Sequence, residues 1–369
     1  MSNDDNRGPQ QVNRRKFLAG ALGAVALGAG LSCSTTDKAG RANALPRRKL
    51  GKTDLHISII GMGGGSALSL VKNYQDALAL VDLAYQKGIN FFDSSANYGP
   101  DSEGCFGEAL QEHRKDVVFS TKYETEHNPD QVMKNVEESL KRLRTDYIDI
   151  AHMHAVKDME ELETMFRSGA LGTLVKLKEQ GVVRYIGVTS HNHPPAMAEA
   201  LKRFQFDVCF QAANASKVPF LFEFDPKSET SFEDLSLPLA NQQGIGVVAF
   251  KITGQRRLIQ KANEPDKALV PDLIRYGLSL PVHGILLGMH KPEHVISACE
   301  LACNFKPLNQ QEMRELNQRL APSANELTLH YLRPDYVDDG RPRPHLPERI
   351  RKGRKLEALP GQDYSLGHS

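Results

Sequence analysis

Eight short apolar segments, each separated from the next by a helical pattern, constrain the fold of this chain more than any other feature. They are rich in β-branched residues, which is typical of strands that are buried on both faces. The predicted strands are Ile57–Met62, Asn90–Ser94, Val117–Lys122, Ile148–His154, Tyr185–Ser190, Val208–Ala212, Val247–Lys251 and Gly284–Gly288.

The segments between the strands have the apolar spacing of amphipathic helices. Asp76–Lys87 places its leucines on one face, and Pro129–Leu143 begins next to Asn128, a favourable N-cap residue. Leu171–Gln180 ends before Gly181, which suits the left-handed position after a helix. Strands and helices that alternate in this way predict an α/β protein.

Eight such units over roughly 250 residues predict a (β/α)8 TIM barrel. The alternative is a doubly wound open sheet, whose first strand is normally followed by a G-x-G-x-x-G fingerprint. The glycine-rich run Gly61–Gly65 has a different spacing and no acidic residue placed to hold a ribose. We therefore interpret it as a tight turn at the mouth of a barrel.

Three regions are predicted along the chain: an export signal and linker over 1–44, the barrel over 45–320, and a C-terminal extension over 321–369. The barrel region opens with a hairpin over Arg47–Ser58 and closes with a helix over Gln310–Leu320. The extension is rich in Pro, Gly and charge. It is interpreted as a wrap over the barrel, with a pocket-shaping loop or a lipid-facing basic patch as alternatives.

The N-terminus has the pattern of an export signal. Arg14 and Arg15 precede Phe17 and an apolar run that ends at Leu31, and this run is shorter than the roughly 20 residues of a membrane span. Adjacent arginines before an apolar run resemble a twin-arginine signal. The pattern predicts export of the folded protein to the periplasm, with the twin-arginine machinery as a partner.

Two processing points compete. Gly30–Cys33 is an imperfect lipobox that would leave a lipid on Cys33, and Ala42–Ala44 fits an A-x-A cleavage site that would release a soluble protein. The cysteine at the end of the apolar run favours the lipoprotein. Contact with a membrane is expected only through that lipid.

Charge and cysteine content exclude several classes of function. The formal net charge is +1, so no strong field attracts nucleic acid, and no nucleic-acid partner is expected. None of the five cysteines forms a C-x-x-C pair, so neither an iron–sulfur cluster nor a metal site is expected.

Chemistry-bearing side chains stand at the carboxyl ends of successive predicted strands, where barrels carry their catalytic groups. Asp93 ends the second strand and Tyr98 follows it, Lys122 ends the third, and His154 ends the fourth. The pattern D-x-x-x-x-Y-G, then Lys, then His resembles the catalytic tetrad of the aldo-keto reductase family. The resemblance runs from about Leu45 to Leu320 and implies that these four residues are catalytic.

Physical chemistry supports the implied roles. A carbonyl oxygen that accepts a hydride develops negative charge, so it needs a proton donor in a positive field. We expect the Lys122 ammonium to lower the pKa of the Tyr98 phenol, and Asp93 to hold Lys122 in place. His154 would orient the substrate oxygen. Tyr98 would then be the general acid in reduction and the general base in oxidation.

The resemblance also implies a nicotinamide cofactor and a small-molecule carbonyl substrate. Thr189 and Ser190 fall where the family binds the carboxamide, with an Asn displaced to Asn192, and Gln211 ends the sixth strand. The aromatic residue that usually follows and stacks on the nicotinamide is missing, and Phe220 or Phe222 is the expected substitute. The other expected cofactor residues are Gly63, Lys251, Gly288, His290 and Lys291.

His290 and Lys291 could meet a 2′-phosphate, which favours NADP(H) over NAD(H). The family's Arg and Glu-Asn pair in the following helix are not matched by Ser297 and Ala298. The periplasm is not expected to hold free nicotinamide nucleotide. An exported enzyme would therefore bind its cofactor tightly before export or use another redox partner.

The expected function is NAD(P)H-dependent reduction of an aldehyde, ketone or sugar carbonyl, reversibly an alcohol dehydrogenation. The first alternative is a nucleotide-binding barrel with a sensory or structural role and little turnover. The second is an unrelated barrel such as a metal-dependent hydrolase that uses His152 and His154, which lie two apart and so face the same side of a strand.

Overall fold

The computed structural model describes residues 45–65, 67–98, 102–217, 231–254, 256–259 and 268–326. The predicted export signal with Cys33, the substitutes Phe220 and Phe222, and the extension beyond residue 326 lie outside these ranges. Within them, no helix is both long and apolar enough to span a bilayer.

The predicted parallel barrel is confirmed. Strands β3 to β10 are all paired in parallel and close in the order β10-β3-β4-β5-β6-β7-β8-β9. The barrel strands are β3 (Ile60–Gly63), β4 (Phe91–Asp93), β5 (Val118–Glu124), β6 (Ile148–His154), β7 (Val183–Ser190), β8 (Val208–Ala212), β9 (Gly246–Phe250) and β10 (Gly284–Leu287).

An antiparallel hairpin of β1 (Arg47–Lys49) and β2 (His56–Ser58) precedes the barrel, as predicted. Its turn contains Gly51 at a φ of 57°. A side chain at Gly51 would collide with the backbone of Gly246, since an added Cβ would lie 2.3 Å from that amide nitrogen. Glycine is therefore required both for the turn and for its close approach to β9.

The helices surround the barrel, and their ends follow local sequence signals. Asn128 caps its helix through a reciprocal capping box with Gln131, and Gly181 adopts a left-handed φ of 73° just after another helix. The helices are α1 (Tyr74–Gln86), α2 (Ser102–Ala109), α3 (Pro129–Arg142), α4 (Met159–Arg167), α5 (Ala170–Glu179), α6 (Pro194–Arg203), α7 (Ser236–Gln243), α8 (Val270–Ser279), α9 (Pro292–Cys303) and α10 (Gln310–Leu320).

Large side chains fill the inside of the barrel. The ring of Phe210 on β8 meets Phe91 on β4 at 5.9 Å and His152 on β6 at 4.1 Å, although these strands are not neighbours in the barrel. Gly187 makes room for His152, because an added Cβ would lie 2.1 Å from its Nδ1 atom. The barrel is thus closed by packing below its mouth, and any ligand must enter at the carboxyl ends of the strands.

Candidate active site

Asp93, Lys122 and Tyr98 meet at the mouth of the barrel. Lys122 Nζ lies 2.6 Å from Asp93 Oδ2 and also donates to the carbonyl oxygen of Ser94. Ser120 donates to the other carboxylate oxygen of Asp93 at 2.8 Å, which fixes the carboxylate from the neighbouring strand. Lys122 Nζ is 4.9 Å from the centre of the Tyr98 ring. The sequence order of these residues therefore becomes one cluster in space.

The net shift in the pKa of Tyr98 is opposite to the shift expected from Lys122 alone. Burial raises the pKa of its phenol, and although the Lys122 ammonium lowers it, burial prevails and the pKa is raised. Lys122 acts in the predicted direction, but burial, which the sequence order does not measure, outweighs it. The opposing effect of Lys122 is nevertheless present.

Lys122 is held in its charged form. Burial disfavours the ammonium, but the Asp93 carboxylate and the Tyr98 phenol outweigh it, so the pKa of Lys122 is raised. A positive charge next to the Tyr98 ring is what a developing oxyanion at that place requires.

The His154 ring also lies next to Tyr98, with the two ring centres 6.3 Å apart. Its Nδ1 atom lies 2.9 Å from Oε1 of Glu124, a residue that our sequence reasoning missed. Glu124 directly opposes His154 in the register of β5 and β6. The signal was present, because Glu124 follows Lys122 by two residues and so shares its face.

His152 lies one layer below His154, as expected from their spacing. It is fully buried against Phe210. Burial has the largest effect on its pKa, and together with the charges of Lys122 and His154 it lowers the pKa of His152 well below the ordinary value. Among the described residues no cluster of three or more His, Cys, Asp or Glu side chains could hold a metal ion.

The predicted carboxamide-binding residues lie together at the ends of β7 and β8, and two of them also support the loop after β6. Ser190 donates to the carbonyl oxygen of Val156 at 2.6 Å, and Asn192 donates to that of Lys157 at 2.9 Å.

Among the predicted carboxamide-binding residues, three buried polar atoms have no hydrogen-bond partner in the described part of the chain. They are Thr189 Oγ1, Asn192 Oδ1 and Gln211 Nε2. Buried polar atoms without partners are costly and therefore rare. A carboxamide carries one carbonyl acceptor and one amino donor, so the Gln211 donor and the Asn192 acceptor together fit such a group.

An aromatic ring is present at the mouth after all. Phe250 ends β9, pairs in register with Ala212, and packs edge-on against His191 with ring centres 4.6 Å apart. The residues that follow Gln211 carry no aromatic side chain, as predicted, and Phe250 on the next strand brings a ring to this part of the mouth.

Lys251 directly follows Phe250 and has a left-handed φ of 61°, which is uncommon for a residue with a side chain. Burial, with a contribution from Lys122, lowers the pKa of its amine to about 8. Left-handed backbone at such residues occurs preferentially at functional sites.

The remaining predicted cofactor residues lie around the same rim. Gly63 ends β3, and a Cβ there would meet only the carbonyl oxygen of Leu287 at 3.6 Å. Gly288 is exposed just after β10, and His290 packs on His294 with ring centres 4.5 Å apart. Lys291 is the exposed N-cap residue of α9.

Positive groups gather at the start of α9. Burial, then His294, Arg256 and Lys291, lowers the pKa of His290, so its ring is neutral near pH 7. The positive charge at this helix N-terminus is therefore supplied by Lys291 and Arg256, and the helix end itself favours an anion. These residues could hold a phosphate.

The structure is a (β/α)8 barrel that brings Asp93, Tyr98, Lys122 and His154 together at its carboxyl face. The profile of the aldo/keto reductase family matches residues 59–275, more than half of the chain, and the protein belongs to that family.

Individual relatives agree with this assignment. The chain is 26% identical over 302 residues to the uncharacterized oxidoreductase YqkF of Bacillus subtilis, covering 73% of this chain and 95% of the relative. It is 39% identical over 154 residues to L-galactose dehydrogenase of Arabidopsis thaliana, but this match covers only 47% of the plant protein and 38% of this chain.

The fold is also similar to that of the aldo-keto reductase AKR11C1 from Bacillus halodurans in its holo form. The TM-score is 0.61, the sequence identity is 23%, and the match covers 74% of this chain and 96% of the other. Family and fold together make this chain an oxidoreductase.

Proposed function

We propose that the protein reduces a carbonyl group with NAD(P)H, and in reverse oxidises an alcohol, with Tyr98 as the general acid and base. The observation that carries this proposal is the contact of a charged, Asp93-held Lys122 with the Tyr98 side chain. The bound nucleotide would supply the hydride. Because the pKa of Tyr98 is raised, its phenol is protonated near neutral pH and can donate to the developing oxyanion.

The unpaired polar atoms, the Phe250 ring and the charges at the rim indicate which residues would hold the nucleotide. We propose that Gln211 and Asn192 hold the carboxamide, that Phe250 forms an apolar wall beside the ring, and that Lys291 with Arg256 meets a phosphate. That last pair supports NADP(H) over NAD(H), since a 2′-phosphate needs positive charge.

Among aldehydes, ketones and sugars, we propose a polyhydroxylated carbonyl compound. The rim around Glu124 is polar, with Asn97, the neighbour of Tyr98 in the chain, donating to Glu124 at 2.7 Å, and with Lys157, whose charge acts on Glu124, paired with Glu161 at 3.7 Å. Such groups suit hydroxyl-bearing substrates better than apolar ones. The partial match to L-galactose dehydrogenase supports the same class.

The test compares the wild type with Tyr98→Phe. NADPH fluorescence should change on binding to both proteins. The rate at which glyceraldehyde oxidises bound NADPH should be about 10²- to 10⁴-fold lower in the variant than in the wild type. Nucleotide binding without aldehyde-dependent oxidation in the wild type would favour the alternative of a nucleotide-binding barrel with little turnover.

We also propose that the protein is exported by the twin-arginine route, and that Cys33 carries a lipid. Support comes from Arg14, Arg15 and the apolar run that follows them. Replacing both arginines by lysine should retain the protein in the cytoplasm, and Cys33→Ser should remove a lipid-sized mass and release the protein from the membrane fraction. Export of the double-lysine variant would contradict the route.

A further inference from the structure

Glu124 is a buried carboxylate whose partners are His154 and Asn97, the residue before Tyr98. It is 5% exposed, and its Oε1 atom accepts from Asn97 at 2.7 Å and faces His154 Nδ1 at 2.9 Å. Burial raises the pKa of Glu124, but His154, Lys157 and Asn97 outweigh it and lower the pKa to about 2. The group is therefore a carboxylate throughout the physiological range.

A carboxylate can only accept hydrogen bonds, so the proton in this contact belongs to Nδ1 of His154. The tautomer follows from this pairing. Nε2 is then the ring nitrogen left for a substrate oxygen.

Asn97 extends the effect to Tyr98. Asn97 immediately precedes Tyr98 in the loop after β4, and it binds the same carboxylate oxygen that His154 contacts. Glu124 thereby connects the Tyr98 loop to His154, as Asp93 connects β4 to Lys122.

We propose that Glu124 is a positioning residue of this reaction, which fixes His154 as the Nδ1-protonated form and aligns it with the Tyr98 loop. Its role in turnover rests on the proposed function, whereas the protonation of His154 does not. Carboxylates that fix a histidine in this way control which nitrogen reacts.

The first test reads the tautomer without any substrate. Full-length protein labelled with ¹⁵N-histidine is compared with Glu124→Gln and Glu124→Ala, and His154→Gln identifies the signals. We expect Nδ1–H at His154 in the wild type, and loss of that preference both in Glu124→Gln, whose amide can donate as well as accept, and in Glu124→Ala. An unchanged His154 spectrum in Glu124→Ala would overturn the proposal even if the protein has no reductase activity.

The second test separates positioning from a structural ion pair. Reduction of glyceraldehyde by NADPH should fall roughly tenfold or more in kcat in Glu124→Gln, with the KM for NADPH unchanged. In a His154→Gln background the same change should have no further effect, because Glu124 acts through His154. Additive losses would overturn the proposal.

Asp207→Asn provides a matched control. Asp207 pairs with Lys178 at 2.5 Å and precedes β8, at the opposite face of the barrel. This variant also converts a paired carboxylate to an amide. It should leave the His154 spectrum and kcat unchanged, and an equal loss in kcat would show that Glu124→Gln acts only through stability.

Discussion

The two halves of the barrel mouth differ in how their polar side chains are satisfied. In the acid–base half, formed by β4, β5 and β6, Asp93 is bound to Lys122 and Glu124 to His154. In the cofactor half, formed by β7, β8 and β9, buried polar atoms such as Gln211 Nε2 have no partner among the described residues. At the mouth, the candidate catalytic side chains of the first half are therefore paired with one another, although His152 below them on β6 has no hydrogen-bond partner among the described residues, whereas the second half has hydrogen bonds left to make at the mouth itself.

The pKa values of two glutamates, one in each half, show the same contrast. Glu124 in the acid–base half has a pKa lowered to about 2, with burial opposed by His154 and other partners. Glu233, which lies near Ala212 in the cofactor half, accepts from Tyr276 at 2.8 Å through Oε2, and burial raises its pKa to about 7, while its Oε1 has no partner among the described residues. Burial acts on both carboxyl groups, and the strength of the opposing partners decides the direction, because His154, Lys157 and Asn97 outweigh burial at Glu124 whereas Tyr276 and Lys217 do not at Glu233.

The largest expected effect concerns pH and tests the acid–base half. Because the pKa of Tyr98 is raised above its ordinary value of 10, alcohol oxidation needs a phenolate that is scarce at neutral pH. We expect kcat/KM for oxidation to rise about tenfold per pH unit from pH 7 to 10. The Lys251 amine, with a pKa of about 8, also titrates in this pH range. The Lys251→Met variant lacks that amine and should follow the same curve as the wild type, because Tyr98 sets the pH dependence. A plateau below pH 9 would contradict the role of Tyr98.

A smaller effect is expected from the cofactor half. Gln211 receives a hydrogen bond from Ser236 on its oxygen, and its amide nitrogen is unpaired in the described structure. Gln211→Leu should weaken NADP(H) binding roughly tenfold in a fluorescence titration, because one buried donor is lost. Tyr98→Phe should do the reverse, retaining affinity and losing turnover. Equal effects of both variants on affinity would erase the distinction between the halves.

The smallest effect concerns stability. The folded pKa of Glu233, about 7, lies above its ordinary value of 4.5, so the stability from its neutral form is present below pH 4.5 and lost as pH rises through 7. Glu233→Gln should therefore be more stable than the wild type at pH 8 by about 1–2 kcal/mol, a few degrees in Tm. The gain should vanish near pH 4, and a gain that does not vary with pH would refute the titration of Glu233.

The fold could be predicted because each strand and helix is specified locally. β6, β8 and α10 begin and end at the predicted residues, since apolar runs and caps mark their limits. β5 was predicted to end at Lys122 but continues to Glu124, because pairing with β6 extends it beyond its apolar run. That extension carries the functional Glu124.

The site was only partly predictable. The order of Asp93, Tyr98, Lys122 and His154 along the strands sufficed to bring them together. The raised pKa of Tyr98 depends on desolvation, and the place of Phe250 depends on how β8 and β9 pair, so neither follows from local pattern.

The central claim is that the Lys122 ammonium acts on the Tyr98 phenol, and its most direct test is a pH titration of Tyr98 by ¹³C NMR with labelled tyrosine. The wild type is compared with Lys122→Met/Asp93→Asn, which removes both charges of the pair so that no buried charge is left alone. Lys122 lowers the pKa of Tyr98 more than Asp93 raises it, so the account predicts a higher pKa in the double variant. An unchanged or lower pKa would contradict it.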